Sequence, residues 1–154
     1  QLTDKELEQY AATLGSDCTF FINNKPCIAS GRGEVLEQVD IDLSAYKIIL
    51  VHPGIHINTG WAFQQIGRLG TKKISLKEII KKPVINWKEV LTNDFENPIF
   101  KKYPEIGKIK TALYEQGAVY ASMTGSGSTV YGFFSKDNTL ALNFPTHYFN
   151  LSLG

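Results

Sequence analysis

A loop rich in glycine and serine, residues 124–128, offers the clearest opportunity for ligand chemistry in this sequence. It reads Thr124-Gly125-Ser126-Gly127-Ser128 and lies between two apolar stretches. Glycines let the backbone approach a ligand closely, and successive N–H groups can form a concave site for an anion such as phosphate. A tight connection between two strands would explain the same residues equally well. The loop is therefore a candidate phosphate site or a strand connection.

Three better-known glycine motifs do not fit this loop. No lysine follows the second glycine, which excludes a Walker A loop, and Val130 stands where a dinucleotide-binding fingerprint needs a third glycine. Ser126 has Thr124 and Ser128 two positions away, where the nucleophile of an α/β-hydrolase needs glycines. Any phosphate binding by this loop would use a different arrangement.

A single acidic residue, Asp17, lies between a predicted helix end and an apolar segment. A carboxylate in such a place can accept a proton from a substrate hydroxyl. Its position alone favours a simpler role, in which it caps a turn or pairs with a lysine.

Two histidines, His52 and His56, have the spacing of metal ligands on one helix. Pro53 and Gly54 lie between them and are incompatible with that helix, and the sequence supplies no third convergent ligand. We therefore expect a solvated pair of loop histidines and no metal site built from protein ligands.

Several other residues could bind a nucleotide but have simpler explanations. Trp61 and Phe63 could stack on a base, although an aromatic residue on a short helix more often belongs to the core. Four lysines of the later helices are expected on solvated faces; they are Lys101, Lys102, Lys108 and Lys110.

Composition limits the classes of function. The 154 residues are 43% hydrophobic and 20% charged, which suits one globular domain or two small ones. The net charge of +1 gives no basic surface for nucleic acid or for an anionic membrane. No apolar run approaches the length of a membrane span, and residues 1–8 lack the features of a secretory signal. Because the first residue is Gln1, we expect a piece of a longer protein.

The two cysteines, Cys18 and Cys27, could form one disulfide, but a chain of this length does not need one. Two reduced thiols in a cytoplasmic protein are the simpler expectation.

The N-terminal region is predicted to contain a helix, a strand and a hairpin. Thr3 and Glu6 form a capping-box pattern at the start of a helix over 3–14, and Gly15 is expected to end it in a left-handed conformation. One face of this helix is predicted to be buried through Leu7, Tyr10, Ala11 and Leu14. Residues 18–22 favour a strand, with residues 27–30 pairing back onto it and a loop at 31–34.

The rest of the sequence predicts a mixture of strands and helices. Strands are expected at 46–51, 119–123 and 129–134, with a further one at either 140–144 or 148–153. Helical pieces are expected at 59–66, with Thr59 as N-cap, at 74–83 and 87–91, from 93 to about 103, and at 104–116 before Gly117. The sum is an α+β fold, a mostly antiparallel sheet with helices on one face.

Five motifs in this order resemble the GHMP kinase family over residues 7 to 134, and each motif alone is weak. They are Leu14-Gly15-Ser16-Asp17 followed by Phe20-Phe21, Gly31-Arg32-Gly33-Glu34, His52-Pro53-Gly54 followed by Thr59, Asn93-Asp94-Phe95-Glu96, and Met123-Thr124-Gly125-Ser126-Gly127-Ser128. The resemblance is to the ATP-dependent members that phosphorylate the 2-hydroxyl of 4-diphosphocytidyl-2-C-methyl-D-erythritol in the non-mevalonate isoprenoid pathway.

The resemblance implies a two-lobed parent enzyme and a partial chain. Residues 1–40 would end the N-terminal, catalytic lobe, and residues 41–154 would form the ferredoxin-like C-terminal domain. The sequence has no counterpart of the family's early lysine motif or of its Gly/Ser-rich phosphate loop. ATP and Mg²⁺ would therefore serve the full-length enzyme, and this chain alone is expected to be inactive and not to hold them.

The resemblance also implies roles for individual residues. Asp17 would be the catalytic base, and Thr124, Gly125, Ser126 and Gly127 would lie against the phosphates. Thr59 and Phe63 would lie near the substrate, with Phe63 stacked on the cytosine ring. Residues 31–34 would be a turn that defines the fold. The chain departs from the family at Cys18-Thr19, where members usually have Val-Pro.

An alternative of another class stays open at this point. A stand-alone ferredoxin-like domain could bind a small ligand or a partner without catalysing a reaction. Binding of cytidine diphosphate ligands and ATP would separate the two cases, and so would the coding sequence upstream of Gln1.

Overall fold

A computed structural model describes residues 2–66, 75–138 and 143–154. The chain divides into two compact units, Gln1–Asp42 and Leu43–Gly154. The lobe boundary after residue 40, which rests on the family resemblance, stays a prediction. Among the described residues, no helix is long and apolar enough to cross a membrane.

The N-terminal unit begins with helix α1 (Asp4–Leu14), which starts at the predicted capping box. The Thr3 hydroxyl accepts a hydrogen bond from the Glu6 N–H, and the Glu6 carboxylate accepts one from the Thr3 N–H at 2.8 Å. The bonds that the Glu6 carboxylate accepts from the Thr3 N–H and the Thr3 hydroxyl favour its charged form and lower the pKa of this carboxyl. The predicted left-handed cap is wrong, because Gly15 has an extended backbone with φ of 175°.

The predicted buried face of α1 is also wrong for most of its residues. Ala11 is buried, but Leu7 and Tyr10 are exposed and Leu14 keeps 84% of its surface accessible. The apolar stripe exists at helical spacing, yet it lies on the surface of the chain. An exposed stripe of this kind is typical of a surface that contacts another protein segment.

The predicted strand over 18–22 is helical instead. A 3₁₀ helix (Ser16–Thr19) leads directly into the short helix α2 (Phe20–Asn23). The Thr19 hydroxyl donates to the Ser16 carbonyl at 2.9 Å, and this local bond stabilises a turn that the β-forming side chains did not indicate. Asn24 then ends α2 with a positive φ of 47°.

The two strands of the N-terminal unit pair with each other. Strand β1 (Cys27–Ser30) is antiparallel to β2 (Val35–Gln38), so the predicted pairing of 27–30 with 18–22 is wrong. Residues 31–34 form the connecting turn, where Gly31 and Gly33 have φ of 70° and 119°. Glycine adopts these values without steric cost. Cys18 and Cys27 are free thiols.

The C-terminal unit contains a four-stranded antiparallel sheet in the order β4-β5-β3-β6. The strands are β3 (Tyr46–His52), β4 (Tyr120–Met123), β5 (Val130–Ser135) and β6 (Phe149–Leu153). In the register, Val51 pairs with Val130, and Val130 pairs with Met123. The strand at the end of the chain is the second of the two predicted alternatives. The first includes residues 139–142, which lie outside the described part.

Helices cover one face of this sheet, as predicted for the α+β fold. They are α3 (Thr59–Ile66), α5 (Glu96–Lys102) and α6 (Pro104–Glu115). Helix α4 (Leu76–Ile79) and a 3₁₀ helix (Val84–Glu89) lie between α3 and α5 in the chain. The core joins Ile49 and Val51 of the sheet to Ile99 of α5 and Leu113 of α6. Residue 74, the predicted start of the α4 segment, lies outside the described part.

The 3₁₀ helix covers the other face at strand β4. Trp87 packs edge-on against Tyr120 at 5.7 Å between ring centroids. The Tyr120 hydroxyl donates to the Leu91 carbonyl at 3.1 Å, and burial raises its pKa well above the ordinary value for tyrosine. Strand β4 is therefore buried on both faces, which holds the start of the 124–128 loop in a rigid setting.

Candidate functional site

The glycine loop at 124–128 connects β4 to β5 and so joins two paired strands. The Thr124 N–H donates to the Thr129 carbonyl at 2.9 Å, and the Gly127 N–H donates to the Thr124 carbonyl at 3.0 Å. Gly125 and Gly127 have positive φ values of 55° and 91°, which explains the need for glycine at both positions. Within the described residues, the N–H groups of Gly125 and Ser126 donate to no carbonyl or side chain.

These two N–H groups give the loop its capacity to bind an anion. Neighbouring backbone amides that are not used within the fold can converge on phosphate or carboxylate oxygens. Gly125 is also exposed, so a ligand can reach the loop backbone. An added Cβ at Gly125 would meet no atom within 4 Å, which leaves room beside the amide.

Asn93 holds the loop from outside the sheet. Its side-chain amide donates to the Met123 carbonyl at 2.7 Å and to the Gly125 carbonyl at 2.8 Å. Its side-chain oxygen accepts the Phe95 N–H at 2.9 Å, which fixes the amide group in the segment before α5. One side chain thus binds the strand end and the loop together.

Glu96 binds the same strand end through its carboxylate. It accepts hydrogen bonds from the Met123 N–H at 2.9 Å and from the Ser122 hydroxyl at 3.1 Å. Lys110 forms an ion pair with Glu96 at 2.6 Å. The expectation that Lys110 lies on a solvated face is therefore wrong, whereas Lys101, Lys102 and Lys108 are exposed.

The far end of the loop is attached to the segment after β3. The buried Ser128 hydroxyl donates to the Ile55 carbonyl at 2.6 Å and lies 3.2 Å from His52 Nδ1. His52 is half-buried at the end of β3, so of the two histidines predicted to be a solvated pair His56 is exposed and His52 is not. Among the described residues, no group of three His, Cys, Asp or Glu could hold a metal ion.

Thr59 contacts the middle of the loop. Its hydroxyl lies 3.1 Å from the Ser126 hydroxyl, within hydrogen-bonding distance. The prediction that Thr59 is the N-cap is wrong, because the Asn58 side-chain oxygen accepts the Trp61 N–H at 2.8 Å. Asn58 caps the helix, and the hydroxyl of Thr59 is left to reach the loop.

Phe63 lies one helical turn beyond Thr59 and keeps 62% of its surface accessible. Its ring packs edge-on against Phe95 at 4.9 Å between centroids, which orients the exposed ring. Trp61 instead packs against Tyr103, and Lys102 Nζ lies 3.8 Å from the centre of its ring. Of these two aromatic residues, Phe63 is the one with an available surface.

Asp17 belongs to the N-terminal unit, in the 3₁₀ helix before α2. Its side chain is exposed, and its Oδ1 atom accepts a 3.4 Å hydrogen bond from the Ser16 hydroxyl. The hairpin turn lies directly beside it, because an added Cβ at Gly33 would approach Asp17 Oδ1 to 2.5 Å. The turn at 31–34 thus has a close contact with the predicted base.

The structure therefore brings together Thr59, Ser126 and the rest of the glycine loop in the C-terminal unit, with Phe63 on the same helix as Thr59. Asp17 lies in the other unit. That Asp17, Thr59, Phe63 and residues 124–127 act on a substrate stays a prediction.

Comparison with known proteins adds the family to this geometry. Residues 75–144 match the family described as "GHMP kinases C terminal", a span that includes Asn93, Glu96 and the whole glycine loop. A 4-diphosphocytidyl-2-C-methyl-D-erythritol kinase of Bacteroides thetaiotaomicron is 49% identical over 139 residues, which cover 90% of this chain and 50% of that protein. Residues 75–144 carry the C-terminal domain of the GHMP kinases.

Other relatives agree with this assignment. A protein of the same name from Azobacteroides pseudotrichonymphae is 50% identical over 150 residues, 96% of this chain and 56% of that protein. A solved structure titled "Crystal structure of 4-(cytidine 5'-diphospho)-2C-methyl-D-erythritol kinase" shares the fold, with a TM-score of 0.73 and 21% identity over 96% of this chain and 57% of that one. The chain spans about half the length of the curated relatives it matches.

Two residues that hold the loop received no role from sequence reasoning. From the sequence, Asn93 and Glu96 are only members of one motif, at the predicted start of a helix. Their contacts with Met123 span 30 and 27 positions, and no local pattern indicates such pairs. The available signal was a carboxylate and an amide placed three residues apart beside an apolar helix.

Proposed function

We propose that this chain is the C-terminal part of an ATP-dependent kinase that phosphorylates the 2-hydroxyl of 4-diphosphocytidyl-2-C-methyl-D-erythritol. The names of the relatives supply the substrate class. The observation that carries the proposal is the glycine loop, with its unused N–H groups at Gly125 and Ser126 and the exposed Phe63 ring on the helix that contacts the loop.

In this proposal, the 2-hydroxyl oxygen attacks the γ-phosphorus of ATP, and the bond from that phosphorus to the bridging oxygen of ADP breaks. Asp17 accepts the proton of the hydroxyl. The exposure of its carboxylate supports this role, since a base must reach within about 3 Å of the acceptor hydroxyl.

The loop N–H groups would bind phosphate oxygens and stabilise negative charge without a basic surface. This agrees with the net charge of +1. Thr59 would hold Ser126 in place, and Phe63 would stack on the cytosine ring. Mg²⁺ would come with ATP and neutralise the phosphates, which provide most of its ligands together with water and one or two carboxylates.

The remainder of the parent enzyme would supply the other lobe and the main ATP site. The exposed apolar stripe of α1 supports such a partner, because Tyr10 and Leu14 are open to solvent. Without that lobe the reactants would not be positioned, so we expect this chain alone to be inactive. The two free cysteines fit a cytoplasmic protein.

A direct test replaces the proposed base in the full-length protein. Asp17→Asn should lower kcat by about 10² to 10⁴-fold, the usual contribution of a general base. Binding of cytidine diphosphate, measured by calorimetry, should change less than about two-fold because the loop and Phe63 are intact.

Asp137→Asn is the matched control, since Asp137 is an exposed aspartate in a surface turn. Normal turnover of Asp17→Asn would remove Asp17 from the proposed role. If the wild-type protein binds the nucleotides but transfers no phosphate, the chain is a non-catalytic binding domain, the alternative that the sequence leaves open.

A further inference from the structure

In the described part of the chain, side chains and not a further strand bind the outer edge of strand β4. The N–H and the carbonyl of Met123 both point away from β5, where they meet Glu96 at 2.9 Å and Asn93 at 2.7 Å. The two side chains come from one short segment around the start of α5. They satisfy the backbone N–H and carbonyl of the strand edge at the point where the glycine loop begins.

Asn93 continues from this edge into the loop itself. The carbonyl that it binds at 2.8 Å belongs to Gly125, and that carbonyl shares a peptide plane with the Ser126 N–H. In a trans peptide the C=O and N–H point in opposite directions. The Asn93 bond therefore turns the Ser126 N–H away from Asn93.

The Met123–Thr124 peptide plane, two planes earlier, is held at both ends. The Met123 carbonyl binds Asn93, and the Thr124 N–H donates to Thr129 at 2.9 Å. This unit forms a rigid base for the loop. Glycine at 125 would otherwise let the Gly125–Ser126 plane rotate, because glycine has access to many backbone conformations.

Glu96 stabilises this arrangement through a buried network of hydrogen bonds and an ion pair. The residue keeps only 8% of its surface accessible, and its charge is balanced by Lys110 at 2.6 Å. A buried carboxylate needs such a partner and hydrogen bonds to its oxygens, and Ser122 and Met123 supply those bonds.

We propose that Asn93 and Glu96 are positioning residues that hold the 124–128 loop with its N–H groups directed at a phosphate. The role rests on the proposed kinase function for its ligand. Asn93 selects the orientation of the Gly125–Ser126 peptide, and Glu96 holds the strand end from which the loop departs.

The Asn93→Asp substitution separates the donor from the rest of the side chain. The new carboxylate still accepts the Phe95 N–H, but it cannot donate to the carbonyls of Met123 and Gly125 and repels both. Glu96→Gln is a second variant, which keeps an acceptor for Met123 and removes the ion pair. Asn97→Asp is the matched control, because Asn97 is exposed in the first turn of the same helix.

The variants are compared in the full-length protein. We expect kcat to fall about 100-fold in Asn93→Asp and about ten-fold in Glu96→Gln, and to stay within two-fold in Asn97→Asp, since small misplacements of binding groups are costly. Each kcat is divided by the folded fraction from circular dichroism. The affinity for cytidine, which has no phosphate, should stay within two-fold. A kcat loss that the folded fraction accounts for would overturn the proposal.

Hydrogen exchange gives a readout that does not depend on activity. Amides of residues 120–128 should exchange at least ten-fold faster in Asn93→Asp than in Asn97→Asp, in peptides resolved by mass spectrometry. Unchanged exchange would contradict the positioning role even in an active kinase. Faster exchange in a protein without kinase activity would support the positioning role and contradict the proposed function.

Discussion

The glycine loop is bound by Asn93, Thr59 and Ile55 from three other segments, whereas Asp17 accepts a 3.4 Å hydrogen bond from its neighbour Ser16. Both regions are exposed to solvent in part, so burial does not separate them. The loop reaches its conformation within its own unit. The orientation of the Asp17 side chain depends on the local 3₁₀ turn and on Gly33, which lies against its carboxylate.

This contrast indicates that the two regions need different degrees of rigidity for their proposed roles. A binding group that must present N–H groups in a fixed direction needs a rigid setting. A base that must approach a hydroxyl of a bound substrate needs less support in the free protein. Catalytic hydrogen bonds are often long without substrate and shorten when the substrate binds. Substitutions that target one region at a time can break or sharpen the comparison.

Among the substitutions that test this comparison around Asp17 and the loop, apart from that of Asp17 itself, the largest effect is expected at Gly33. Its Cβ in Gly33→Ala would meet Asp17 Oδ1 at 2.5 Å, so the carboxylate must shift. Because a shift of about 1 Å can cost 10²-fold in rate, kcat of the full-length protein should fall about 100-fold.

Gly31→Ala is the control in the same turn. Gly31 also has a positive φ, and its added Cβ would meet the flexible Glu34 side chain. Its φ of 70° lies nearer the left-handed region than the 119° of Gly33, so each kcat is divided by the folded fraction of the variant. A kcat for Gly33→Ala equal to that of Gly31→Ala would show that the turn does not position Asp17.

A smaller effect, on stability, is expected where the loop meets the segment after β3. Ser128→Ala removes the bond from the buried Ser128 hydroxyl to the Ile55 carbonyl, which should cost about 1–3 kcal/mol in the free energy of unfolding. Ser16→Ala removes only the long, exposed bond to Asp17 and should stay within about 0.5 kcal/mol. Urea denaturation measures both values, and equal losses would contradict the contrast between the regions.

The third effect concerns affinity alone. Phe63→Ala removes the proposed stacking surface, and base stacking on an aromatic ring is worth about 1–3 kcal/mol, so affinity for cytidine diphosphate should fall about ten-fold or more. Phe63→Tyr keeps a ring and should bind normally. The melting temperature should change little, because most of the Phe63 ring is exposed. Normal binding by Phe63→Ala would place the base elsewhere.

Sequence reasoning succeeded where local interactions decide the structure. The capping box of Thr3 and Glu6, the proline at the start of α6 and the buried strand at 46–51 all depend on neighbouring residues. The α+β class follows from these elements, and the fold agrees with it.

It failed where a local bond or a distant contact outweighs the pattern. Residues 18–22 have strand-forming side chains, but the Thr19 hydroxyl stabilises a turn. Lys110 occupies an exposed-looking helical position, but Glu96 draws it into an ion pair across fourteen residues. The loop itself was visible as a motif. Its support by Asn93 was not, because that contact exists only after the chain has folded.

The most direct test of the account is phosphoryl transfer by the full-length protein that contains this chain. Incubated with ATP, Mg²⁺ and 4-diphosphocytidyl-2-C-methyl-D-erythritol, it should give ADP and a new phosphate monoester, both resolved by ³¹P NMR. The account predicts this product for the wild type and a rate lower by at least about 10² for Asp17→Asn. Absence of the monoester from a folded wild-type protein that binds both nucleotides would contradict it.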